Sequence, residues 1–174
     1  MNNVPYISQH WQKSCTSLQL EKYTQEFVDT WSHKSCGLAC IAMILHFFDK
    51  SEGLPDLFED AYKSGYYTPK GWIHNGLVEM LNIRGVQGCA KAANKNDIMQ
   101  GIKKGSLYIV SVSYKFPING EKGGHLVLVF DIDDNNQVYF NDPSTWGESN
   151  QKLNADVFFS SYSGRCIEVN NEIL

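Results

Sequence analysis

The sequence predicts an α+β fold: helices first, then an antiparallel sheet. Three observations carry this. "SCGLACIAMILHFF" (Ser35 to Phe48) is apolar on nearly every side of a helix, the pattern of a helix buried inside a domain. Beyond Gly105 the hydrophobic period changes, and "SLYIVSVSY", "HLVLVFDID" and "QVYFND" are β-rich runs separated by Gly, Asn and Asp turns. The order of elements is not an alternating βαβ series.

Taken in order, residues 1–10 read as extended, with Pro5 fixing one φ. Residues 16–31 hold "LQLEKYTQEFVDTW", a short helix with a weak apolar stripe. The strongest helix follows from Ser35 to Phe48. It places Cys36, Ala39, Cys40, Met43 and Phe47 on one face, and it stops in the polar Asp49 to Gly53 stretch. Leu54 to Ser64 and Ile73 to Leu81 read as further helices. Asn94 to Gly105 reads as another, capped by Asn94 or Asn96 and stopped by Gly105. In the sheet region, "DDNNQ" (Asp133 to Gln137) suits a tight hairpin. "LNADVFFSSYSG" carries a cap at Asn154 and a stop at Gly164, and "RCIEV" is a last strand.

Bulk properties narrow the function. The 174 residues suit one domain over 1–174. A net charge of −4, with Lys103-Lys104 as the one adjacent basic pair, leaves no electrostatic footprint for nucleic acid. No run approaches the ~20 apolar residues that a membrane helix needs. The start "MNNVPYISQH" does not read as an export signal, and the five cysteines are scattered and odd in number. The expectation is a soluble, cytoplasmic protein with free thiols and with neither nucleic acid nor membrane as partner. No metal or cofactor is expected.

The chemistry-bearing residues come next. Cys36 stands where the apolar helix begins, and free N–H groups at a helix N-terminus favour a thiolate. Gly37 beside it is expected to let substrate backbone approach. Against this stands the commoner fate of a free cysteine, burial in the core. A thiol nucleophile wants an imidazole and a third group to orient it. Of five histidines, His125 has the setting: it follows Gly123-Gly124 and opens the apolar strand "LVLVF". If the hairpin closes at Asn135-Asn136, the following strand brings Asp142 or Asn141 back beside the ring, and Pro143 ends that strand. Trp31, Trp72, His74 and Trp146 are candidates for a cleft, with Gly124 among the substrate-binding candidates.

"SCGLACIAMIL", "GGHLVLVFD" and "VYFNDP" together resemble the three motif blocks of papain-like cysteine peptidases related to the bacteriocin leader-processing (double-glycine) peptidases. The resemblance covers roughly residues 4–145, and "GWIHNGL" resembles a segment of stand-alone bacterial members. It implies a papain-like fold, with the central nucleophile-bearing helix packed against an antiparallel sheet. It also implies Cys36 as nucleophile, His125 as general base and acid, and Asp142 as orienting residue. The leader peptidases carry a glutamine six residues before the nucleophile as oxyanion donor; here that position is Thr30. Gln9, in "VPYISQ", resembles the family's opening element instead, with an insertion before the helix, and Gln25 is a second candidate. The implied substrate is a peptide or a small amide or ester.

Three other readings compete. An acyltransferase or transpeptidase would use the same triad and pass the acyl group to an amine or thiol. A non-catalytic peptide-binding module, or a structural metal site built on His33, Cys36, Cys40 and Cys15, would use the residues differently, although structural zinc sites show tighter Cys-x-x-Cys hooks. The CGLAC helix also resembles proteins labelled guanylyl cyclases. No Gly-rich phosphate loop or metal-binding carboxylate pair supports nucleotide cyclisation.

Overall fold

The computed structural model describes residues 3–117, 122–144 and 151–170. The helical part begins with α1 (Trp11–Ser14), α2 (Ser17–Leu20) and α3 (Gln25–Ser32). The single helix expected over 16–31 is therefore two helices. Thr16 caps α2 in a reciprocal box with Gln19, and Thr24 caps α3 by accepting from the Phe27 N–H. Two threonines in extended conformation, eight residues apart, each start a helix, so one continuous helix is excluded.

α4 (Cys36–Phe47) is buried from Gly37 through Leu45, as its all-round apolarity predicts. It ends at Asp49, whose φ of 58° turns the chain so that the Lys50 N–H reaches the Leu45 carbonyl. α5 (Leu54–Lys63) follows. A short hairpin of β1 (Tyr67–Thr68) and β2 (Gly71–Trp72) leads into α6 (His74–Asn82). Strand β3 (Gly88–Ala92) precedes α7 (Lys95–Lys103), which Asn94 caps in a box with Asp97. Then come β4 (Leu107–Ser113), β5 (Gly124–Ile132), β6 (Gln137–Asn141), β7 (Gln151–Asn154), α8 (Ala155–Phe159) and β8 (Arg165–Val169). Helices α1, strands β1 to β3 and strand β7 had no counterpart in the sequence reading. They are short or, like the "GCAKA" of β3, carry too little apolar alternation to signal a strand.

The main sheet has the order β3-β8-β4-β5-β6-β7, with every pair antiparallel. Both faces are covered. Leu107 and Ile109 of β4, with Leu126 and Leu128 of β5, join the core built on α4, α5 and α6. Their alternate neighbours Tyr108, Val110, Val127 and Val129 join Ile98 and Ile102 of α7 and Phe158 of α8 in a second core. A strand buried on both faces reads as a continuous apolar run, which is why "LYIV" and "HLVLVF" stood out. The β5–β6 connection expected at "DDNNQ" closes with Asn136 at φ 57° and an Asn136 N–H to Asp133 carbonyl bond of 3.0 Å.

Candidate active site

The site gathers at the first turn of α4. The first turn of a helix leaves its N–H groups without intrahelical partners. Ser35, at the N-cap, does not take them up: its Oγ donates to the Trp31 carbonyl at 2.6 Å and accepts from Trp11 Nε1 at 2.9 Å. The start of α4 is thus open to an outside acceptor, with Cys36 half-buried at its head. Gly37 has a different use from the one expected. A Cβ there would meet Trp72, Leu77 and Leu126 at 3.0 to 3.2 Å, so its missing side chain lets α4 lie close against β2, α6 and β5 rather than admitting substrate.

Gly123 and Gly124 have φ of 89° and 97°, a region that side-chain-bearing residues rarely adopt, and they turn the chain into β5. His125 follows at once, paired with Val112 of β4 and only 6% exposed. The register of β5 and β6 sets Leu128 opposite Asn141, and the hairpin returns Asp142 to the imidazole. His125 Nε2 lies 2.7 Å from Asp142 Oδ1, both groups buried. The same carboxylate oxygen accepts from the Ser144 N–H at 3.0 Å. Of the two residues that the sequence left open here, Asn141 is committed elsewhere: its Nδ2 donates to the carbonyl of Val4 at 3.3 Å.

Electrostatics tie three groups together. Burial is the largest influence on His125 and disfavours its charged form. Hydrogen bonds to Asp142 and to Cys36 oppose that and carry its pKa well above the ordinary value, to about 10. Burial also pushes the Asp142 pKa up, but His125 and Ser144 outweigh it, and the carboxyl is held below its usual range. An ionised carboxylate accepts from Nε2–H, which leaves Nδ1 for the thiol. An imidazole so held can accept a proton from sulfur and return it to a leaving group.

Beside this group lies a cleft of about 300 Å³, lined among others by Cys36, Tyr67, Trp72, His74, Ser111, Gly124, His125 and Leu126. Trp72, His74 and Gly124 are brought together here. Burial lowers the His74 pKa, helped by Arg165. Trp31 stands behind the wall, edge-on to Tyr67 at 5.0 Å, and Trp146 lies outside the described residues. Gln9 is not on the cleft wall. It is buried, its Nε2 donates to the Ser32 carbonyl at 2.9 Å and the His33 carbonyl at 3.3 Å, and its Oε1 has no partner among the described residues. Gln25 bonds Asp29 on the exposed side of α3. The β1–β2 hairpin and Lys34, both on the cleft, were missed by sequence reasoning; the turn signal "TPKG" (Thr68 to Gly71) pointed to the hairpin. Among the described residues no three His, Cys, Asp or Glu side chains converge as metal ligands. No helix there is long and apolar enough to cross a membrane.

The Peptidase_C39 like family matches residues 1–165 of the chain. No curated protein matches it. Among solved structures, a double-glycine-motif protease from an AMS/PCAT transporter, in complex with its leader peptide, is similar with 17% identity and a TM-score of 0.64, over 98% of this chain and 94% of that one. The peptidase domain of Streptococcus ComA, a bifunctional ABC transporter of a quorum-sensing pathway, is similar with 20% identity and a TM-score of 0.63, over 80% and 93%. A Bacillus anthracis protein described as C39-like is similar with 13% identity and a TM-score of 0.65, over 100% and 98%. These likenesses show a shared papain-like fold.

Proposed function

The chain belongs to the Peptidase_C39 like family and is a cysteine peptidase; from that premise we propose that Cys36, His125 and Asp142 form its catalytic triad and cleave an amide bond through an acyl-thioester. The observation that carries the proposal is the buried 2.7 Å contact of His125 with Asp142, on a ring that lines the same cleft as Cys36 at the open head of α4. His125 takes the thiol proton. The thiolate attacks the carbonyl carbon, and the oxyanion is met by the backbone N–H of Cys36. The C–N bond breaks as His125 protonates the amine. Water, deprotonated by His125, then attacks the thioester, and the acid leaves as sulfur takes its proton back. Asp142 keeps Nε2 protonated and the ring oriented throughout. The leader peptide held by one structural relative supports a peptide as the substrate of this cleft. The described cysteines are all unpaired, which supports a reducing compartment such as the cytoplasm, and the whole chain acts as one domain.

To donate to the oxyanion, Gln9 would have to turn its amide away from the Ser32 and His33 carbonyls. If it serves so, Gln9→Ala lowers kcat by about 10²–10³. If that variant loses thermal stability alone, Gln9 instead anchors the Ser32–His33 turn.

The test is a peptide-library screen with the whole chain, followed by variants on the best substrate. Cys36→Ala, folded as judged by circular dichroism, abolishes turnover, and His125→Ala is nearly as damaging, each loss on the order of 10⁶ in kcat. Retained turnover in folded Cys36→Ala overturns the mechanism.

A further inference from the structure

The chain carries a net charge of −4, yet its cleft is lined by Lys34 and Lys70 and by no Asp or Glu among the described residues. Both lysines are placed there by the fold. Lys34 follows α3 directly, and its carbonyl accepts from Trp72 Nε1 at 2.6 Å, which ties its backbone to the cleft wall. Its ammonium lies 5.2 Å from the Trp31 ring and 5.7 Å from the Tyr67 ring, an arrangement that holds a cation at the rim without neutralising it. Lys70 sits in the β1–β2 turn. Its N–H is received by Thr68 Oγ1 at 3.2 Å, and that hydroxyl donates to the Gly71 carbonyl at 3.1 Å. By contrast, Lys22, Lys91, Lys95 and Arg84 are each paired with a carboxylate. Neither Lys34 nor Lys70 has such a partner among the described residues. Arg165, the charge felt by His74, adds a third cation nearby. Among the described residues the one carboxylate at the site, Asp142, is buried and occupied by His125.

Resting on the peptidase reading above, we propose that this cleft selects substrates bearing a carboxylate close to the scissile bond, with Lys34 and Lys70 as the specificity-determining residues. Two cations on the wall of a cleft concentrate field toward its floor and favour an anionic partner over a neutral isostere. The carboxylate has two sources: an acidic side chain before the scissile bond, or a free chain terminus just beyond it.

The experiment uses covalent probes and needs no natural substrate. N-acetyl-Glu and N-acetyl-Gln chloromethyl ketones differ in one charge and test the side-chain source. A peptidyl fumaramate and its neutral fumaramide place the charge beyond the reacting carbon and test the terminus. Alkylation of Cys36 is followed by mass spectrometry, and each rate is divided by that for free N-acetylcysteine. The anionic member of at least one pair should react about 3–10-fold faster at low salt, the range expected of rim charges, and this advantage should shrink in 0.5 M salt. The pair that responds identifies the source. In the Lys34→Gln/Lys70→Gln double variant, both positions being exposed, the advantage should fall to within about 1.5-fold of unity. Equal or slower reaction of both anionic probes overturns the proposal. So does an advantage that survives in the double variant, which would then belong to the His125 imidazolium. Failure of every probe to label Cys36 in folded protein overturns the peptidase mechanism itself, a separate outcome.

Discussion

Cys36 and Cys40 stand one helical turn apart on the same face of α4, and the tertiary structure gives them opposite environments. Cys36 heads the helix, half-buried, against His125 and the cleft. Cys40 is wholly buried; its thiol donates to the Leu126 carbonyl, and burial drives its pKa well up. The sheet strand β5 supplies both partners, an imidazole at its mouth and a carbonyl one residue further in. Chemistry on this helix is therefore decided by depth: where water and substrate reach, a thiol can ionise and react, and four residues further along, a rise of about 6 Å at about 1.5 Å per residue, it is a small apolar side chain.

The largest expected test of this contrast is on Asp142, the proposed orienting group. Asp142→Asn preserves shape but removes the charge that fixes the His125 tautomer, and kcat for a screened substrate should drop about 10⁴-fold. A drop below tenfold would detach Asp142 from the mechanism. Next in size is reactivity. Iodoacetamide near neutral pH should label Cys36 on the order of 100-fold faster than Cys40, which must await local opening. Cys15 and Cys166, both raised by burial, should lag as well, with exposed Cys89 as the internal comparator. Equal rates for Cys36 and Cys40 in folded protein would erase the difference of depth.

Smaller is the pH effect. His125 has its pKa raised from 6.5 to about 10, so it binds a proton more tightly folded than unfolded. Its contribution to stability is complete below about pH 6.5 and is lost as pH rises toward 10. The denaturation midpoint in urea should fall between pH 6.5 and 8.5, below the ordinary range of the thiols, and this fall should be smaller in Asp142→Asn. An equal fall in both proteins would remove Asp142 as the source of the shift. Smallest is Cys40→Ala, expected to cost about 1 kcal/mol of stability and to leave turnover within a factor of two. A large loss of turnover would show that Cys40 does more than pack.

Much of this was legible in the residues. The all-round apolarity of Ser35 to Phe48 required a buried helix, and the double glycine before "HLVLVF" required a turn that sets His125 at a strand mouth, because local sterics and hydrophobic period act over a few residues. The turn residues "DDNNQ" and the strand-ending Pro143 implied that residues 141 and 142 return toward His125 if the hairpin closes at Asn135-Asn136. What the sequence alone left open needed three dimensions. Hairpin geometry alone left both Asn141 and Asp142 open, the resemblance pointed to Asp142, and the fold commits Asn141 to the Val4 carbonyl. Gly37 reads the same in sequence whether it admits substrate or packing; contact with Trp72, Leu77 and Leu126 decided it. Lys34 and Lys70 are ordinary surface lysines along the chain, 36 positions apart, and only the docking of the β1–β2 hairpin beside α4 brings them to one cleft. Local patterns set each element, whereas charge and proton affinity at the site come from side chains distant in sequence, and their meeting is fixed by packing.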